Sequence, residues 1–111
     1  MRSNLFLTIK KRKNFLQLRK AKNSLIGEVI IINFKNINSC DDLSLGFTVS
    51  KKHGNAVKRN LIKRRLRALF IKNIKEIPKG YAFEVIPKEK INGFDFLNIE
   101  KDLLNVIKKL N

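Results

Sequence analysis

Eight cations and two asparagines fall between residues 51 and 67: Lys51, Lys52, Asn55, Lys58, Arg59, Asn60, Lys63, Arg64, Arg65 and Arg67. These side chains suit one chemistry, the holding of phosphate. A guanidinium fork matches two phosphate oxygens at once, a lysine adds a point charge, and an amide both donates and accepts. Bond-breaking chemistry has far less to draw on. His53 is the only histidine and Cys40 the only cysteine, which excludes a multi-histidine site, a Cys-rich zinc site and an internal disulfide. No Ser-His-Asp set and no pair of catalytic carboxylates stands out. His53 reads as a turn residue or phosphate contact, and Cys40 as an inert loop thiol suited to a reducing compartment.

The elements that position these residues follow from periodicity. Leu43 to Ser50 alternates strictly, with Leu43, Leu45, Phe47 and Val49 on one side and Ser44, Gly46, Thr48 and Ser50 on the other. It is a half-buried strand. His53-Gly54-Asn55 is a turn, and Asn55 can cap a helix over Ala56 to Lys75, ended by Pro78 and Gly80. At about 100° per residue, Ile62, Leu66, Leu69 and Phe70 form the packing stripe. Asn60, Lys63, Arg64 and Arg67 form an adjacent polar stripe with Arg59 at its margin, and Lys58, Arg65 and Lys72 form a third.

Around this unit, Lys13–Lys22 reads as a first helix, Gly27–Phe34 as a strand, 35–42 as a loop and Tyr81–Ile86 as a strand stopped by Pro87. A last helix runs to about Leu110 with Asp95 as N-cap, its apolar face Phe96, Ile99, Leu103, Val106, Ile107 and Leu110. The order α-β-β-α-β-α predicts an α/β (α+β) two-layer sandwich with a small mixed sheet. It forms a single domain over 1–111, with 1–8 as an expected disordered margin.

Composition points to a polyanion partner. In 111 residues there are 25 Lys plus Arg against 9 Asp plus Glu, a net charge of +16. Such self-repulsion strains a compact state and is relieved by nucleic acid or an anionic membrane surface. With 43 % hydrophobic residues, the chain is too apolar for a disordered polycation. No apolar run approaches the roughly 20 residues of a membrane helix. The acid-free first 27 residues would suit a mitochondrial presequence, but they are poor in serine and read into a helix. The cations are also concentrated: residues 43–75 hold ten and no acid. On the long helix, Lys63–Arg59, Lys63–Arg67 and Arg64–Arg67 repel at i,i+3 or i,i+4 spacing, costing about 0.2–0.5 kcal/mol each. A helix built for stability alone would carry glutamates there.

The run Gly46-Phe47-Thr48-Val49-Ser50-Lys51-Lys52-His53-Gly54-Asn55-Ala56-Val57-Lys58-Arg59-Asn60-Leu61-Ile62-Lys63-Arg64-Arg65-Leu66-Arg67 closely resembles the signature of the bacterial ribonuclease P protein component. That pattern is a G-hydrophobic-x-V-S-K-K strand end, then a helix reading A-V-x-R-N-x-x-K-R-x-x-R. Arg59, Asn60, Lys63, Arg64 and Arg67 fill its polar helix positions.

The resemblance implies the accessory subunit of a ribonucleoprotein endonuclease that removes the 5′ leader of precursor tRNA. Its partners would be ribonuclease P RNA and precursor tRNA, in a cytoplasmic protein–RNA heterodimer without a membrane. Catalysis and the Mg²⁺ ions would belong to the RNA, with no cofactor bound by the protein alone. The family fold adds a left-handed βαβ crossover, a rare hand. The RNA would lie on Lys51, Lys52, Asn55, Lys58 and the arginine-rich helix, and the leader in a cleft of Phe15, Arg19, Asn33, Thr48 and Ser50. Two positions depart from the family: Arg19 and Asn33 stand where aromatics are common. This cleft would then hold a leader by charge and hydrogen bonds more than by stacking. Phe47 alternates with core residues and reads as core. The competing hypothesis is a basic binding module, such as a ribosomal protein or DNA-binding domain. A helix-turn-helix reader needs a helix where a strand precedes this one.

Overall fold

The computed structural model describes residues 7–8, 23–37 and 43–110. The first helix predicted over 13–22, with Phe15 and Arg19, lies outside them, as does Cys40. Five strands form one mixed sheet: β1 (Leu7–Thr8), β2 (Ser24–Ile26), β3 (Ile30–Asn36), β4 (Leu43–Phe47) and β5 (Tyr81–Pro87), in the order β1-β4-β5-β3-β2. β4 runs parallel to both β1 and β5, while β3 is antiparallel to β5 and β2. Helix α1 (Ala56–Lys72) connects β4 to β5, and α2 (Phe96–Lys108) follows β5. The two-layer mixed-sheet expectation holds.

Register sorts the sheet into two faces. Leu45 and Phe34 both oppose Phe83, and Phe47 and Ile32 both oppose Val85. This face joins Ile62, Leu66, Leu69 and Phe70 of α1 and Ile99, Leu103, Val106 and Ile107 of α2 in one buried core. Each such side chain contributes about 1.5–3 kcal/mol of burial. Phe47 meets Phe70 edge-on, ring centroids 5.9 Å apart; it lies on the core side, as its alternation predicted, half-buried at the margin of the core. Tyr81 stacks on Phe83 at 5.6 Å; both are packing residues of β5.

Both predicted N-caps form: Asn55 accepts from the Lys58 amide at 3.0 Å and Asp95 from the Asn98 amide at 2.8 Å. Several boundaries move. α1 stops at Lys72, not Lys75, because Asn73 turns back and donates to the Leu69 carbonyl at 2.9 Å. Phe96, placed on the apolar face of the last helix, is 41 % exposed. The stretch predicted as one strand from Gly27 is a hairpin corner, followed by β3 from Ile30 to Asn36. Asp102 of α2 organises that corner by accepting from the amides of Glu28, Val29 and Ile30 at 2.8, 2.9 and 3.2 Å. Gly27 is required by crowding: a Cβ there would lie 2.5 Å from Val106 Cγ2 and 2.6 Å from Asp102 Oδ2. Lys88 and Lys109 donate to the carbonyls of Gly27 and Ile26.

Candidate nucleic-acid interface

β4 delivers the chain to the basic segment. Thr48 extends its pairing through an amide bond to the Val85 carbonyl at 3.0 Å. Lys51–His53 then form a 3₁₀ turn, its amides closing on Ser50 and Lys51. Gly54 sits at φ +120°, ψ −157°, a region essentially closed to other residues. A Cβ there would come within 2.8 Å of Lys58 Cδ, so glycine also leaves room for the lysine stem.

His53 is not a phosphate contact. It is 3 % exposed, and its Nε2 lies 3.1 Å from the Pro87 carbonyl, which can only accept. Its Nδ1 has no partner among the described residues. The imidazole ties the basic turn to the end of β5 and leaves Lys51 and Lys52 exposed outside.

Along α1, Lys58, Asn60, Lys63, Arg64, Arg65 and Arg67 are exposed and Arg59 is half-buried, while the opposite stripe is locked into the core. Arg67 lies over the Phe47 ring, its guanidinium carbon 5.8 Å from the centroid, within cation–π range. The Arg59 Nε is buried and unpartnered among the described residues. Asn55 belongs to the same surface but uses its oxygen as the cap, leaving its NH₂ for any ligand. Of these helix cations, Lys72 has a carboxylate partner, bridging to Glu100 of α2 at 3.2 Å. Lys58, Lys63, Arg64 and Arg65 have none among the described residues.

Glu100 is an internal clamp. Asn73 donates to it at 2.8 Å and Lys72 at 3.2 Å. These hydrogen bonds, Asn73's first, hold its carboxyl below the usual value of 4.5.

The predicted leader residues divide. Phe15 and Arg19 lie outside the described residues. Asn33 and Thr48 do meet, on the sheet face turned away from α1 and α2, through a residue the sequence did not single out. Glu84, fully buried on β5, accepts from Asn33 Nδ2 at 3.1 Å and from the Thr48 hydroxyl at 2.6 Å. Ser24 donates to the other end of the Asn33 amide. Asn33 is 8 % exposed with both ends engaged, so it builds this face more than it reaches from it. Ser50 stands apart, exposed before the basic turn. The available signal for Glu84 was a lone acid in the centre of the apolar strand YAFEVI.

Among the described residues, no three His, Cys, Asp or Glu side chains gather as metal ligands. None of their helices is long and apolar enough to cross a membrane.

A two-layer fold with an acid-free basic helix between parallel strands is also the fold of a known class. The family model described as Ribonuclease P matches residues 6–111. The ribonuclease P protein component of Thermotoga maritima is 36 % identical over 103 residues, covering 89 % of this chain and 87 % of its own. The solved RNase P protein from Thermotoga maritima superposes with a TM-score of 0.86 at 32 % identity, over 94 % of this chain and 97 % of that one. The Staphylococcus aureus RNase P protein superposes with a TM-score of 0.83 at 32 % identity, over 94 % of each. The chain belongs to the ribonuclease P protein family.

Proposed function

We propose that this protein binds the catalytic RNA of ribonuclease P along α1 and the turn before it, and assists removal of the 5′ leader from precursor tRNA in the cytoplasm. One observation carries this: four cations of α1, Lys58, Lys63, Arg64 and Arg65, project outward without a carboxylate partner among the described residues, from a helix whose other side is fixed in the core. Such an array neutralises phosphates and releases their counterions. The leader would pass beside the sheet face that Asn33, Glu84 and Thr48 build, with Arg19 and the exposed Ser50 supplying charge and hydrogen bonds. Hydrolysis of the phosphodiester belongs, in this proposal, to the RNA and its Mg²⁺ ions, with the protein supplying positioning and charge neutralisation.

Reconstitution tests the proposal. The protein is mixed with its cognate ribonuclease P RNA at low magnesium and precursor tRNA cleavage is followed. Cleavage should be faster than with RNA alone, and the protein alone should cleave nothing. No enhancement, or robust protein-only cleavage, would overturn it.

A further inference from the structure

A second feature of α1 lies on the flank away from Lys63 and Arg67. Between α1, the Glu89–Gly93 3₁₀ turn and the start of α2 is a cleft of about 290 Å³. Its floor is aliphatic, made by Leu61, Ile62, Leu66, Ile91 and Ile99. Its remaining lining is Lys58, Arg65 and the Asn92 amide, and no carboxylate contributes. Leu61 is 36 % exposed at its lip.

We propose that this cleft receives one unstacked nucleobase of the RNA bound along α1, an inference that rests on the RNA-binding function proposed above. The volume falls just below the roughly 300–1,000 Å³ span of ligand pockets, which suits one planar heterocycle better than a folded peptide or a long acyl chain. Extruded bases are held by apolar side chains against their faces and by hydrogen bonds to their edges. The aliphatic floor supplies the first and Asn92, a donor and acceptor, the second. Lys58 and Arg65 meet the phosphates on either side of the base. The positive rim continues into the acid-free face of α1, so charge complementarity selects a polyanion. A stacked base contributes apolar contact, whereas phosphates contribute counterion release, and the two are separable by salt.

The test is a salt series of binding to cognate ribonuclease P RNA with the full-length protein. Leu61→Asn and Asn92→Trp, both at exposed positions, should weaken binding about tenfold at every salt concentration while leaving the salt slope unchanged. Arg65→Ala should lower the slope by about one unit. Base-reactive chemical probing of the RNA should show one unpaired base protected by wild-type protein and reactive again with either variant, and thermal melts report that each variant is folded. Wild-type affinity in both folded variants would overturn the base pocket while leaving the α1 interface standing. If Arg65→Ala and Arg67→Ala also changed neither affinity nor slope, the RNA-binding proposal itself would fail. Unchanged RNA binding with lost capture of vesicles containing phosphatidylglycerol would overturn the proposal in favour of an acyl-chain site.

Discussion

The two helices lie on the same face of one sheet and use charge in opposite ways. α1 carries seven cations and no acid, and of these Lys72 bridges to a carboxylate of α2. The acids of the α2 region each serve a structural contact: Asp95 caps the helix, Glu100 clamps the end of α1, and Asp102 holds the β2–β3 corner. Glu84 does the same on the far face. The basic surface of α1 therefore stays free of acids, while Glu84 and Glu100 are used in contacts inside the fold. Both helices pack on the sheet, but only α1 turns an acid-free basic face outward, at a cost in self-repulsion.

The sharpest way to break this division is Asp102→Ala. It removes the acceptor for three amides, and should lower stability by about 3 kcal/mol in urea denaturation. RNA affinity, measured where the variant remains folded, should stay within about twofold of wild type because the change is structural. Lys63→Glu should do the reverse. The salt slope of RNA binding should fall by about two units, while relief of repulsion from Arg59 and Arg67 raises stability by up to about 0.5 kcal/mol. A loss of stability without a loss of RNA affinity would reverse the roles given to the two helices. Arg64→Ala should sit between, with a slope lower by about one unit and stability within about 0.5 kcal/mol of wild type.

The smallest effect concerns Glu100. Its carboxyl is held below 4.5 in the folded chain, so its ionised form contributes stability above the unfolded value. That contribution disappears as pH falls from about 4.5 through the lowered folded value. Glu100→Gln should therefore be less stable than wild type at neutral pH, and the gap should close on acidification. A gap independent of pH, read from urea midpoints at pH 3 and pH 7, would remove the clamp from the comparison.

Local signals in the sequence were reliable where one element decides them. The caps at Asn55 and Asp95, the buried stripe Ile62–Leu66–Leu69–Phe70 and the alternation of β4 depend on neighbours within a few residues. What stayed hidden depends on distant partners. Gly27 looked like the start of a strand, but its small size matters because of Val106 and Asp102, more than seventy residues away. His53, read as a turn residue or phosphate contact, is a turn residue, and the choice is made by the distant Pro87 carbonyl that holds it inward. Glu84 did not stand out because a strand's two faces carry no label until the sheet is assembled. On the basic face of α1, the exposure of Lys58, Lys63, Arg64, Arg65 and Arg67 opposite the packing stripe followed from helical spacing alone. The cleft beside them did not, since Ile91, Asn92 and Ile99 reach it only through the return of the chain after β5.

The parallel pairing of β4 and β5 across α1 also dictates an order of events. Leu43 meets Tyr81 only after thirty-eight residues of chain have been made. A seventeen-residue helix is marginal alone, and like-charge neighbours weaken this one further. During synthesis, α1 therefore acquires its support only when β5 and then α2 have left the ribosome. The ordered basic face of α1 is assembled last, so a half-made chain carries the same cations as a loose polycation and not as a fixed array.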